Sequence, residues 1–199
     1  IYQDSKGILW VGTYHGLNRL NPVNHKYTRY FMDSISHQAS QILAIFEDSQ
    51  GRFWLGTNGA GLLQFDRSTG TILRQMVHHR GRHSIGGNTI CSILEDHQGN
   101  LWFAGAGCPP TRWNPQTEAI RVFQHDPSDP TTISGNAIYS LYESRIGKPI
   151  LWVGTARNGL SRYLPETQSF INYSHNPDDP FSLPNNVIFS LESSEEGTM

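Results

Sequence analysis

The residues best suited to chemistry are aromatic, imidazole, amide and guanidinium side chains that hold matching places in successive repeats of the chain. They differ from one repeat to the next, and they are Tyr14, His15, Asn58, Arg157 and Asn158. An aromatic ring stacks on the C–H face of a sugar, while amide and guanidinium groups exchange hydrogen bonds with its hydroxyls. The combination therefore predicts a ligand-binding site whose chemistry suits a sugar.

Two other groups of side chains are of residue types that can bind a metal ion. The segment HHRGRH, His78–His83, gathers imidazoles in one loop, but its spacing matches no zinc pattern. The second group comprises acidic pairs in two later loops, Asp126 with Asp129 and Asp178 with Asp179. Their neighbouring prolines favour turns, and the calcium pattern of alternating acids around a central glycine is missing. We predict neither a metal nor a cofactor.

Catalytic signatures are also missing from the sequence. It contains no nucleophile elbow, metalloprotease helix, phosphate-binding loop or dinucleotide fingerprint. Glu47, Glu95 and Glu143 recur once per repeat, beside a turn on the face opposite the variable loops. Hydrolysis of a glycosidic bond needs two carboxylates across one bound sugar, so we interpret these glutamates as structural.

The main signal in the sequence is a phrase that occurs four times. It reads DSKGILWVGT from Asp4, DSQGRFWLGT from Asp48, DHQGNLWFAG from Asp96 and, in a longer variant, ESRIGKPILWVGT from Glu143. The tryptophans of the phrase are 44, 48 and 50 residues apart, at Trp10, Trp54, Trp102 and Trp152. This period is about the length of one four-stranded propeller blade.

Each repeat predicts four strands, and the second repeat shows why. An apolar run, QILAIFED, is typical of a strand near the propeller axis, and a turn at Gly51 leads to FWLGT. In that strand Trp54 and Gly56 share one face, so a large ring lies beside bare backbone where blades stack. The repeated tryptophans and the glycines Gly12, Gly56 and Gly154 are therefore predicted to be structural. The fold class is all-β, a β-propeller of four-stranded blades.

The repeat divides the chain into units. We predict a partial blade at 1–40, blades at 41–88, 89–136 and 137–186, and the first strand of a further blade at 187–199. The chain then represents a fragment of about four blades from a larger ring. The loops leading to the next inner strand bring Ser40, Asn88, Asn136 and Asn186 to the face of the variable loops. These asparagines are candidate ligand contacts, although a residue repeated in every blade is more typical of a turn or cap.

Two repeats depart from the pattern. The third replaces the Gly-Leu start of its third strand with GCPPTRW, around Gly107, Cys108 and Pro109. The fourth carries extra residues around Gly147 and Pro149. Both departures are expected to lie in or beside loops, where insertions are tolerated and binding specificity is often placed.

Composition narrows the class of partner. Of the 199 residues, 37% are hydrophobic and 16% are charged, which is typical of a folded domain. The formal net charge of -2 is spread along the chain, so neither nucleic acid nor an anionic membrane is expected to bind. No stretch has the length of a membrane helix. Two cysteines, Cys91 and Cys108, leave a disulfide open as an alternative.

The phrase D-x-x-G-x-L-W-x-G-T, followed by G-L-x-x-F/Y/L and a loop of the type HDPSDPTTISGN, resembles the two-component regulator propeller repeat over essentially the whole chain. The resemblance implies seven-bladed propellers in the periplasmic part of an inner-membrane receptor, whose output domain is a histidine kinase or a diguanylate cyclase. It further implies a non-catalytic sensor of oligosaccharides. We expect such a receptor to transmit its signal through a change, on ligand binding, in how propellers pack in a dimer.

Two other functions remain open. A polysaccharide lyase or hydrolase would need acid–base residues near the channel mouth, for which Tyr14, His15 and Arg157 are the candidates. A protein-binding scaffold would use the ring surface or an exposed blade edge. An unclosed arc would also favour self-association through those edges.

Overall fold

A computed structural model describes residues 1–30, 41–81, 84–144 and 147–192. Within these ranges the chain is all-β, with sixteen strands and no helix. The first sheet contains β1 (Tyr2–Gln3), β2 (Leu9–Thr13), β3 (Gly16–Leu20) and β4 (Tyr27–Tyr30). The second contains β5 (Ile42–Glu47), β6 (Phe53–Thr57), β7 (Leu62–Asp66) and β8 (Thr71–Met76).

The third sheet contains β9 (Ser92–Glu95), β10 (Leu101–Gly105), β11 (Cys108–Trp113) and β12 (Ile120–Val122). The fourth contains β13 (Ile138–Ser144), β14 (Ile150–Thr155), β15 (Leu160–Leu164) and β16 (Ser169–Tyr173). Each sheet is an antiparallel meander in which the strands pair in chain order. This arrangement confirms the predicted fold class of four-stranded blades.

The repeated phrase folds into a tight turn that is locked to its tryptophan. In the second sheet Gly51 has a φ of 74°, a left-handed conformation that glycine adopts without strain. One carboxylate oxygen of Asp48 accepts hydrogen bonds from the backbone N–H groups of Gln50 and Arg52. The other accepts the indole N–H of Trp54 at 2.8 Å. The same Trp–Asp bond recurs as Trp10–Asp4 at 2.9 Å and Trp102–Asp96 at 2.7 Å.

Alternate residues of the second strand face opposite neighbours, as the sequence predicts. Phe53 and Leu55 pack with Trp10 in the core between the first and second sheets. Trp54 lies in the next core, where its ring meets Trp113 of the third sheet at 5.3 Å between centroids. The sheets are therefore joined by apolar cores that form from both faces of each blade.

The repeated glycines mark the closest approach between sheets. A Cβ atom at Gly56 would lie 2.5 Å from the carbonyl oxygen of Ile90, and one at Gly12 would lie 2.9 Å from that of Ile42. Each isoleucine belongs to the inner strand region of the following sheet. Glycine is needed here because no side chain fits between the two backbones.

Of the GCPPTRW departure, only Gly107 lies in the loop between the second and third strands. Cys108–Trp113 is β11, an interior strand that pairs with β10 and β12, and Cys108 is fully buried. Proline cannot donate to a strand ladder, and the pairing shifts register between Phe103 and Gly105, where a bulge accommodates it. This part of the sequence therefore contributes core packing instead of a variable surface.

The bounds of the repeat units stay a prediction. Residues 31–40 and 193–199, which include Ser40, lie outside the described residues. Residues 187–192 belong to no strand, although the backbone N–H of Ile188 donates to the carbonyl of Thr155 at 3.0 Å. In the described ranges no helix has the length and apolar character needed to cross a membrane.

Candidate functional site

The two ends of the sheets differ in their chemistry. We call the lower face the end that carries the turns at 4–8, 48–52 and 96–100, which join the first and second strands. The upper face is the opposite end, formed by the hairpins between second and third strands and by the connections from one sheet to the next. The predicted ligand contacts all lie on the upper face, because strand direction places every one of those segments there.

On the lower face the repeated glutamates are occupied by contacts with the preceding sheet. Glu47 accepts the backbone N–H and the hydroxyl of Ser5, both at 2.8 Å. Glu95 accepts the same two groups of Ser49, at 2.7 and 2.8 Å. Glu143 accepts the backbone N–H and the ring Nδ1 of His97, both at 2.8 Å. Each glutamate thus ties the end of an inner strand to the preceding turn, as the structural interpretation predicts.

An arginine reinforces the first of these contacts. Arg67 donates to Asp4 Oδ2 at 2.9 Å and to Glu47 Oε1 at 2.6 Å. Burial alone would raise the pKa of Glu47, but the hydrogen bonds from Arg67 and Ser5 outweigh it and lower the pKa. The pKa of Asp4 is also lowered, because bonds from Trp10, the local backbone and Arg67 exceed the effect of burial. Both groups are thereby held as carboxylates at neutral pH.

The three repeated asparagines build the connections between sheets. The side-chain oxygens of Asn88, Asn136 and Asn186 accept the backbone N–H of a histidine at 2.6, 2.8 and 2.7 Å. Each of those histidines, His78, His125 and His175, uses its Nδ1 atom to contact a carbonyl later in the same loop at 2.7 Å. This pairing accounts for the recurrence of asparagine, while contact between these residues and a ligand stays a prediction.

Asn58 is likewise engaged within the protein. Its Nδ2 donates to Gln41 Oε1 at 2.6 Å, and its Oδ1 accepts the hydroxyl of Thr89 at 3.4 Å. It therefore bridges the start of its own inner strand to the start of the next one. These contacts hold the amide in place and leave its second N–H and its second lone pair unassigned.

The remaining candidates are exposed but lie in different sheets. Tyr14, 68% exposed, and His15 form the hairpin of the first sheet, whereas Arg157 and Asn158 form that of the fourth. The structure therefore does not bring Tyr14 and His15 together with Arg157 in one cluster. An acid–base constellation made from these three residues is not assembled within the described part of the chain.

The two cysteines are free and point to different neighbours. The thiol of Cys91 donates to the carbonyl of Ile138 in the fourth sheet, whereas Cys108 lies in the core shared with the second sheet. Burial raises the pKa of the Cys108 thiol to about 12. Neither thiol is therefore activated toward nucleophilic chemistry.

Among the described residues, no group of three or more His, Cys, Asp or Glu side chains is placed to hold a metal ion. His83 of the HHRGRH segment lies outside them.

Sequence reasoning missed a position near the axis on the upper face. Leu43, Cys91, Tyr139 and Phe189 each follow the first isoleucine of an inner-strand phrase, in ILAIF, ICSIL, IYSLY and IFSLE. Leu43 and Cys91 line a cavity of about 260 Å³ along the inner strands. Alignment of the four phrases could have found this position, but the residue type changes at every repeat.

Comparisons with known proteins agree with this architecture. The sequence pattern of the family described as "Two component regulator propeller" matches residues 1–15, 36–59 and 84–107. These segments contain the repeated phrase of the first three units. No curated protein matches the chain.

Several solved structures share the fold. The extracellular domain named as that of a hybrid two component system from B. thetaiotaomicron is 24% identical, with a TM-score of 0.75, and the match covers 98% of this chain and 24% of that one. A second such domain from the same organism is 21% identical, with a TM-score of 0.72, over 91% of this chain and 23% of that one.

PorZ, a surface component of the type-IX secretion system of Porphyromonas gingivalis, is 18% identical, with a TM-score of 0.66, over 96% of this chain and 29% of that one. This chain thus spans about a quarter of the length of the solved chains it matches. At these identities the structural matches show the fold alone. Over the residues it matches, the family pattern shows that the chain contains repeats of the two component regulator propeller type.

Proposed function

We propose that this chain is part of the extracytoplasmic, ligand-sensing propeller of a bacterial two-component signalling receptor, and that it binds an oligosaccharide without catalysing a reaction. The family pattern and the extracellular domains with the same fold support the receptor assignment. In such a receptor the propeller lies on the periplasmic or extracellular side of the inner membrane. The response would pass to a histidine kinase or diguanylate cyclase domain.

The observation that carries the ligand proposal is the contrast between the two faces. On the lower face the repeated glutamates are buried or partly buried and bonded to the preceding turns. On the upper face Tyr14, Arg157 and Asn158 expose aromatic, cationic and amide groups. Side chains that build the fold are bonded within it, so exposed groups of this chemistry favour the upper face as the binding surface.

Signalling requires more than binding. The ligand must have different affinities for two packing arrangements of the receptor, because equal affinity for both would leave their populations unchanged. A sugar that spans the upper face would meet this condition if its contacts come from groups that move apart between the two arrangements. The absence of catalysis follows in this proposal from the occupation of the repeated glutamates by structural bonds.

The test is a thermal-shift screen of the full-length protein against plant, algal and host oligosaccharides. A ligand that binds only the folded state raises the melting temperature by mass action. We expect one glycan class to raise it, and Arg157→Ala or Tyr14→Ala to reduce the increase. Lys6→Ala, on an exposed lower turn, is the matched control and should leave it unchanged. No increase with any glycan, or product formation from a bound one, would overturn the proposal.

A further inference from the structure

The upper face of the fourth sheet carries a pair of stacked aromatic rings. Tyr139 and Phe189 lie with ring centroids 5.5 Å apart and an angle of 7° between their planes. Tyr139 is 41% exposed and Phe189 is 76% exposed. The pair therefore presents aromatic surface at the upper face.

This pair is anchored beside the Arg157 hairpin. The backbone N–H of Ala156 donates to Ala137, two residues before Tyr139, at 2.8 Å. On the other side the N–H of Ile188, next to Phe189, donates to Thr155 at 3.0 Å. The hairpin that presents Arg157 is therefore bonded to both segments that carry the rings.

Backbone contacts of Asn158 and Gly159 hold the same hairpin in place. Its backbone N–H donates to the hydroxyl of Thr155 at 2.8 Å, and the N–H of Gly159 donates to the carbonyl of Asn186 at 2.8 Å. A Cβ atom at Gly135 would lie 2.6 Å from Asn158 Oδ1, so the side chain packs closely on that segment. The backbone that carries Arg157 is thus bonded to the two segments that carry the rings.

The segments of this region carry a single charged side chain. The segments that form this region are 134–139, 156–159 and 184–189, and they contain one arginine and no carboxylate. A guanidinium group recognises a carboxylate through paired hydrogen bonds, whereas a flat aromatic face recognises the C–H face of a sugar ring. Together these groups match a sugar that carries its own carboxylate.

We propose that Phe189, supported by Tyr139, and Arg157 form a subsite for a uronic acid residue of an oligosaccharide. The sugar ring packs on the exposed part of this aromatic pair, and its carboxylate bonds to the guanidinium group. This inference rests on the proposed function, because it specifies which ligand the sensor takes and where one residue of it binds.

Calorimetric titration of the full-length protein tests the subsite with matched probes. The probes are trigalacturonic acid, a guluronate trisaccharide and a desulfated chondroitin tetrasaccharide, each beside its carboxyl-reduced neutral form. We expect one acidic probe to bind at least about tenfold more tightly than its reduced form, as expected for loss of a charge-assisted hydrogen bond. Higher salt should narrow this difference, because Arg157 is exposed.

Substitutions locate the subsite. Phe189→Ala should weaken binding about fivefold or more through loss of ring stacking, while Phe181→Ala, on a ring that is 96% exposed in a neighbouring loop, should not. Arg157→Gln should remove the preference for the acidic probe. Arg80→Gln, at an exposed arginine of another upper loop, should keep it.

The outcomes separate this inference from the proposed function. If only neutral sugars bind, or if Phe189→Ala and Arg157→Gln bind the acidic probe as wild type does, the subsite is wrong and the sensor proposal stands. If no oligosaccharide binds in either the titration or the thermal-shift screen, both are overturned.

Discussion

The bond between tryptophan and aspartate in the repeated turn should contribute strongly to stability. Asp48 is buried and accepts two backbone N–H groups, the indole of Trp54 and the guanidinium of Arg52. Trp54 is fully buried, so in Asp48→Ala its N–H loses its partner where water cannot replace it, at a cost of about 2 kcal/mol. The two backbone groups are less buried and add about 1 kcal/mol.

The total loss of about 3 kcal/mol can be measured by urea unfolding followed by tryptophan fluorescence. With a slope of roughly 2 kcal/mol/M, the midpoint should fall by about 1.5 M. Asp48→Asn keeps one acceptor for the indole and should lose about half as much. The fourth repeat has Ser144 at this position, so Ser144→Ala is the matched control, with an expected change within about 0.5 kcal/mol. Equal midpoints for Asp48→Ala and Ser144→Ala would refute the reasoning.

Three further predictions concern contacts between sheets. Glu143→Ala should cost about 2–3 kcal/mol of unfolding free energy, because it leaves two donor groups of His97 without a partner. His97→Ser should change that free energy by less than about 1 kcal/mol, since serine makes the same contact in other repeats. Equal losses for the two variants in urea unfolding would contradict this. Gly56→Ala should destabilise the folded protein by about 1–3 kcal/mol, because the added methyl group would meet the carbonyl oxygen of Ile90. An unchanged melting temperature would contradict this, since it would mean that the two sheets can move apart at no cost. Because the pKa of Glu47 is lowered in the folded state, the stability it contributes is fully present above its unfolded pKa of 4.5 and is lost as the pH falls through its folded pKa. Arg67→Gln should therefore lower the free energy of unfolding at pH 7 and make the decrease of that free energy below pH 4.5 less steep. Parallel pH profiles for wild type and variant would count against the ion pair.

The architecture of the blades could be predicted from the sequence because each of its physical causes repeats. A turn glycine such as Gly51 and a second-strand pair such as Trp54 and Gly56 recur in successive units, so they predict the same turn and the same strand packing each time. The alternation of the second strand even predicts which side chains enter which core. Repetition thus makes a weak local signal into a strong one.

The departures from the repeat were harder to interpret. Consecutive prolines normally argue against an interior strand, but a bulge that contains Pro109 and Pro110 lets Cys108–Trp113 pair with β10. The role of Asn136 also depends on a partner eleven residues away in sequence, His125, across a loop that sequence patterns do not describe.

The candidate site was predicted only in part. The exposed hairpin residues Tyr14 and Arg157 follow from their place between second and third strands. The stack of Tyr139 on Phe189 does not follow from the sequence, because its two residues are fifty positions apart. The earlier repeats have Leu43 and Cys91 at the same position, so the aromatic residue is not part of the repeat. A ligand site on a repeat scaffold depends on such unrepeated residues, which a search for repeats ignores.

The most direct test of the account is hydrogen–deuterium exchange of the full-length protein with and without an oligosaccharide that binds. The account predicts slower exchange in the upper hairpin at 155–159 and the segment at 186–189, with no change in the lower turns at 48–52 and 96–100. Protection confined to the lower turns, or to outer strands such as β8 and β12, would contradict the claim that the upper face is the sensing surface.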